Sequence, residues 1–280
     1  MATSTEAAPP HDRLSGGWEL PRRWHWLIRG FRRYAPRYVR KHFHAVRLSK
    51  SGTAFPPRSR EAILVVLNHP SWWDPMICVV LSNHMAERDQ FAAIDAEAVK
   101  RYGFFKKLGF VGVDAKSLRG AAEFVRAGTS ILSEPNRAFW VTAQGRFTDV
   151  RQRPLCIQAG VGHLAVRMGR GLVLPLALEY TFWTERTPEA LVRFGEPLRI
   201  EDHAGISGKE WQAIIEDAMT RNQDALAAEA LTRDPAKFTE ILGGTAGVGG
   251  VYDRWRRLKA WLRGEKFDPS HDAAMRGERP

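Results

Sequence analysis

The aliphatic run Ile63-Leu64-Val65-Val66-Leu67 is followed at once by Asn68-His69-Pro70-Ser71-Trp72-Trp73-Asp74-Pro75. An unbroken stretch of β-branched and aliphatic residues reads as a buried strand. Asp74 followed by Pro75 reads as a helix start, with Asp as N-cap and proline in the first helical position. A strand, a tight turn and a helix therefore meet within twelve residues or so, and a histidine sits in the turn. Held there by a carboxylate, its imidazole can still reach a substrate hydroxyl.

Spacing by itself carries little weight, because Asn83-His84-Met85-Ala86-Glu87-Arg88-Asp89 repeats the pattern Asn-His-x4-Asp. Context separates the copies. His84 follows a helical segment and lies among Glu87, Arg88 and Asp89, which reads as a solvated connection.

From residue 63 onward strand and helix patterns alternate. Strands are expected at 63–67, 91–94, 138–142, 172–178 and 190–194, and helices at 75–82, 118–132, 160–168 and 208–231. Lys107 to Asp114 reads as a turn. This alternation implies an α/β fold with helices on the faces of a sheet. Ser207 and Glu210 form a Ser-x-x-Glu capping box at the start of the last helix. Pro175 inside its strand marks an edge or a bulge. The glycine-rich stretch 243–250 is expected to be flexible, and its spacing is no dinucleotide fingerprint.

A chain of 280 residues holds one large domain with terminal extensions. The expected division is a disordered segment over 1–20, a basic arm over 21–50, the catalytic domain over 51–233, and a flexible linker with a basic aromatic tail over 234–280. The net charge of +11 is concentrated in the arm, where residues 21–50 hold ten Lys or Arg and no Asp or Glu. Those charges are interleaved with Trp24, Trp26, Phe31, Tyr34 and Tyr38, a mixture that suits an anionic surface, whether lipid headgroups or nucleic acid. No apolar run approaches the roughly 18–20 residues that span a bilayer, and no secretion signal is recognised. Cys78 and Cys156 read as buried reduced thiols, which suggests a cytosolic compartment.

His69 has a plain rationale as a general base. Neutral imidazole accepts a proton near neutral pH, and a carboxylate on its other nitrogen fixes the tautomer and stabilises the cation. A five-residue separation on a regular helix puts two side chains about 140° apart, so only a turn lets Asp74 meet His69. The capping and partner roles of Asp74 are compatible.

Later motifs follow in a fixed order, and with them the chain resembles the glycerolipid acyltransferase family, which includes the 1-acylglycerol-3-phosphate acyltransferases. Asn68, His69 and Asp74 match the family's Asn-His-x4-Asp motif. Lys106-Lys107-Leu108-Gly109-Phe110-Val111-Gly112-Val113-Asp114 is similar to its second block. Ala143-Gln144-Gly145-Arg146-Phe147 stands where the family has Pro-Glu-Gly-Thr-Arg. Leu172-Val173-Leu174-Pro175 and Gly195-Glu196-Pro197 complete the series. The likeness covers about residues 60–200.

This resemblance implies a single mixed sheet flanked by helices, His69 as base with Asp74 as its partner, and no cofactor beyond acyl-CoA or acyl-carrier protein as co-substrate. Asn68, Ser71, Lys106, Lys107, Asp114, Gln144, Gly145, Arg146, Arg151 and Arg153 become candidates for substrate binding. Arg146, Arg151 and Arg153 could grip phosphate through bidentate bonds or simply be solvated. The implied acceptor is a membrane lipid of lysophosphatidate type, with a glycolipid or glycosylated carotenoid or other terpenoid alcohol as the alternative. An acyltransferase core tips the basic arm towards an anionic membrane and away from nucleic acid, and the implied location is peripheral on the cytoplasmic face of a bacterial inner membrane. Gln144 in place of Glu, Ala115 in place of Arg, and Phe147 in the position of Arg are departures, all on the acceptor side. A basic lipid- or nucleic-acid-binding protein without catalysis is the rival from another class, and a serine hydrolase is disfavoured because no Gly-x-Ser-x-Gly occurs.

Overall fold

The structure, a computed structural model, describes residues 20–56 and 60–245. Residues 1–19 of the segment expected to be disordered, the basic tail and positions 246–250 of the glycine-rich stretch lie outside these residues. Nine strands form one mixed sheet: β1 (Ala45–Ser49), β2 (Ile63–Leu67), β3 (Asp89–Asp95), β4 (Phe110–Val113), β5 (Arg137–Thr142), β6 (Leu172–Thr181), β7 (Glu189–Phe194), β8 (Leu198–Arg199) and β9 (Phe238–Gly243). Their spatial order is β4-β3-β5-β2-β6-β7-β1-β9, with β8 paired to the start of β6. The five strands from β4 to β6 run parallel, β7 is antiparallel to β6, β1 is parallel to β7, and β9 closes the edge antiparallel to β1.

The helices are α1 (His25–His42), α2 (Asp74–Ser82), α3 (Ala96–Arg101), α4 (Phe104–Leu108), α5 (Leu118–Leu132), α6 (Ala159–Met168) and α7 (Gly208–Leu231). β2 lies in the middle of the sheet and is buried along its whole length. Its side chains alternate between the two layers. Ile63, Val65 and Leu67 pack with α1 and α2 on one face, and Leu64 and Val66 with α5, α6 and α7 on the other. That two-sided burial is why the run is aliphatic without interruption. At α7, Ser207 and Glu210 form the reciprocal capping box.

Several expectations are corrected. The basic segment 21–50 is no single arm: it comprises α1 and then β1, which lies between β7 and β9 inside the sheet. Nor does a linker begin at 234, because β9 over Phe238–Gly243 belongs to the sheet. Part of the presumed turn at 107–114 is β4, whose four residues, with Gly109 before them and Gly112 among them, look like a turn in isolation. Pro175 occupies a central strand. It falls where the neighbour of β6 changes from β8, at Leu172 and Val173, to β7, from Leu176 onward, so a residue lacking N–H is tolerated. Its carbonyl accepts from Gly195 N–H at 2.8 Å. Cys156 is exposed, not buried.

β1 escapes a pattern reading because a charge interrupts it. Arg47 is 7% exposed, and its Nε donates to Glu189 Oε2 of β7 at 2.9 Å. A buried ion pair need not add net stability, but removing one partner leaves an uncompensated charge. Arg47→Ala is expected to lower the unfolding free energy by about 3 kcal/mol, measured by urea denaturation. A loss within about 0.5 kcal/mol, the range of an ordinary surface substitution, would refute this account of β1.

Candidate active site

Five parallel strands end at one edge of the sheet, and the loops that carry His69, Asp114 and Gln144 leave from it. β2 and β5 are neighbours, yet the helix after β2 packs on one face and the helix after β5 on the other. The two chains diverge at this point and open a crevice beyond the strand ends, the usual ligand position in such sheets.

Asn68 begins the turn. Its amide donates from Nδ2 to the Leu178 carbonyl and accepts at Oδ1 from the Leu178 N–H, both at 2.9 Å. A side chain thus continues the pairing of β2 with β6 for one step after the main chain has turned away. Asn68 is 1% exposed and its amide is bonded to backbone, so it fixes the turn.

His69 follows, with its ring partly exposed. Nδ1 lies 2.5 Å from Oδ2 of Asp74. A carboxylate accepts only, so the proton of neutral imidazole sits on Nδ1 and Nε2 keeps its lone pair. Asp74 is the first residue of α2, and the N-cap position is taken by Trp73, so the capping role is corrected. Its Oδ2 also accepts from Ser71 N–H at 3.2 Å, while Oδ1 accepts from the hydroxyl of Tyr180 on β6 at 2.7 Å. Ser71 Oγ accepts from Trp73 N–H, so the Ser71 side chain shapes the turn. Burial first, and then the charge of Asp74, push the Tyr180 phenol well above its usual range. The same two causes raise the Cys78 thiol of α2, which stays neutral beside Asp74.

Gln144 joins the two loops. Its Oε1 accepts from His69 N–H at 3.1 Å and its Nε2 donates to the Leu155 carbonyl at 3.2 Å. It is 2% exposed and positions the His69 backbone. Glutamate would present a second acceptor to Leu155, so the amide suits this packing. Gly145 takes a left-handed conformation at φ 64°, which a side chain would strain. Thr148 N–H then donates to the His69 carbonyl, and the ring of Phe147, 61% exposed, lies 4.2 Å from the imidazole.

The remaining candidates divide. Arg146 is exposed beside Phe147. Arg151 forms a two-pronged pair with Asp149, and Arg153 pairs with Asp224 and with carbonyls of its own loop. The arginine beside it holds the Asp149 carboxyl well below the usual range. Asp114 accepts from Lys116 N–H and Ser117 Oγ, and so organises the turn into α5. Its loop reaches the crevice, since a Cβ on Gly145 would meet the Cβ of Ala115 at 3.4 Å. Lys106 and Lys107 precede β4 and lie at the opposite edge of the sheet from His69, where the Lys107 ammonium sits over Trp24. They are not brought to the site. His84 has no counterpart of Asp74: it stacks on Phe55, and Asp89 pairs with Arg23.

A cavity of about 400 Å³ lies under α1, between α2 and β3. Asp74, Leu67 and Thr142 line it at the crevice end, and Arg23, Asp89 and Gly109 at the other. Asp89 pairs with the first residue of β5 and Thr142 is its last, so the cavity follows the strands for roughly 17 Å. Ile28, Phe31, Val79, Phe91 and Trp140 make its walls apolar. Nothing in the sequence pointed to Tyr180 or to this cavity, because both depend on contacts between distant segments.

A model of the Acyltransferase family matches residues 46–179. No curated protein matches the chain.

The Asn68 amide generates a direct expectation. Asn68→Ala leaves a buried N–H and a buried carbonyl of Leu178 unpaired, and stability should fall by about 3 kcal/mol in thermal or urea unfolding. An unchanged midpoint would mean that the amide does not hold the turn.

Proposed function

We propose that this protein, whose residues 46–179 match the Acyltransferase family model, is an enzyme that moves a fatty acyl group from a thioester, acyl-CoA or acyl-carrier protein, to a hydroxyl of a membrane lipid. The observation that carries this reading is the 2.5 Å contact of His69 Nδ1 with a buried Asp74 at the crevice. Nε2 of His69 removes the proton of the acceptor hydroxyl. The oxygen attacks the thioester carbonyl carbon, and collapse of the tetrahedral intermediate breaks the carbon–sulfur bond. The departing thiolate takes the proton back from His69. The apolar cavity beside Asp74 takes the acyl chain, and its volume lies within the range of small-molecule pockets.

On the acceptor side, two arginines are already engaged and an exposed aromatic ring covers His69. These contacts favour a lipid alcohol or glycolipid hydroxyl over lysophosphatidate, with the exposed Arg146 available to a phosphate. The acceptor's membrane is met by α1, which exposes Arg29, Arg33, Arg37 and Arg40 around Trp26 and Tyr34, with Arg22 exposed just before it. Among the described residues no helix is long and apolar enough to cross a bilayer. The cationic, aromatic surface of α1 fits peripheral attachment to an anionic cytoplasmic face.

His69→Ala should reduce acyl transfer by roughly 10²- to 10⁴-fold while the protein stays folded, and His84→Ala should leave the rate intact. Equal losses would remove the assignment. Labelled acyl-CoA, offered with lysophosphatidate or with a glycolipid alcohol, identifies the acceptor by the product that acquires label. Sedimentation with phosphatidylglycerol vesicles should fall steeply with added salt, and Trp26→Ala with Arg33→Glu should weaken it. Binding of equal strength to neutral phosphatidylcholine vesicles would contradict the role given to α1.

A further inference from the structure

The mechanism above uses one oxygen of Asp74, and the other oxygen is held by a residue that no motif contains. We propose that Tyr180 is a positioning residue of the reaction: through its hydroxyl it locks the carboxylate of Asp74, and through Asp74 the ring of His69. The proposal rests on the reading of His69 as general base.

Two separate elements meet on the carboxylate. Oδ2 takes His69 Nδ1 and the Ser71 N–H, both from the turn after β2. Oδ1 takes the hydroxyl of Tyr180, 106 residues further along the chain. Tyr180 lies opposite Ala190 of β7 in the sheet, and its ring packs at 5.7 Å from that of Phe43. The hydroxyl therefore comes from a fixed point on the sheet and the other donors from a turn. Carboxylate torsions are soft and roughly two-fold, so a carboxylate bonded through one oxygen can swing and carry the imidazole with it. With both oxygens bonded, its plane is set, and so is the direction of His69 Nε2. Desolvation of the phenol keeps its proton in place, which makes Tyr180 a constant donor.

The loss should appear in turnover and not in binding, because Tyr180 bonds to Asp74 and does not line the apolar cavity. Tyr180→Phe keeps the ring and its packing on Phe43. The expected result is a fall in kcat of about tenfold, the equivalent of one hydrogen bond to a charged group, with KM changed less than about twofold. A double-mutant cycle separates a positioning role from a structural one. If Tyr180 acts through Asp74, then Tyr180→Phe in an Asp74→Asn background costs nothing further. This comparison also serves if Tyr180→Phe alone does not fold, since no carboxylate is then left half-paired. Multiplicative losses in the cycle, or an unchanged kcat in folded Tyr180→Phe, would overturn the proposal. His69→Ala distinguishes the two levels: full activity there overturns the general-base reading, whereas an inactive His69→Ala with a silent Tyr180→Phe overturns the role of Tyr180 alone.

Discussion

A carboxylate that is 1% exposed is the constraint around which this end of the molecule is built. Removing a charge from water costs several kcal/mol even after relaxation, and only converging donors offset that cost. Asp74 receives them from the turn after β2 and from β6. The turn cannot be reshaped without leaving the carboxylate short of a partner, and neither can the end of β6. The same three bonds that allow Asp74 to be buried also determine where the imidazole of His69 points. Stability of the site and orientation of its base are one physical problem with one solution.

What could be read along the chain was local. Ile63 to Leu67, the strands near 138, 172 and 190, and helices 118–132 and 208–231 follow from periodicity and capping, and they stand where expected. His69 and Asp74 were recognisable because their partnership spans one turn. Tyr180 was not, because its hydroxyl meets Asp74 only after β6 has been laid beside β2. Asn68 and Gln144 were read as substrate contacts, yet each spends its amide on backbone groups, a use that no residue type discloses. Lys106 and Lys107 looked close to the site for the opposite reason: they precede Asp114 by only a few residues, but β4 lies between and carries them to the far edge. β1 was hidden by Arg47, whose partner Glu189 lies on a neighbouring strand.

The basic character of the first helix has more than one meaning. Arg32 donates to Asn83 and to the Ser82 carbonyl, and Arg23, just before the helix, pairs with Asp89, so part of the charge seals α1 and its start against α2 and β3. The arginines on the outer face remain in water. The apolar inner face of the same helix, at Ile28 and Phe31, roofs the cavity. One element therefore serves as wall for a buried chain and as a cationic surface, and its position couples the two.

Leu178 and Tyr180, both on β6, grip the turn, the one through Asn68 and the other through Asp74. β6 is paired on both sides, to β2 and to β7, and belongs to the most protected part of the sheet. Catalytic turns in many proteins open in local fluctuations that cost far less than unfolding. Here the turn is fastened to the centre of the sheet, so releasing it means disturbing that centre. Warming such a molecule should leave the geometry of its base nearly constant until the whole sheet gives way, and loss of activity and loss of fold become a single event.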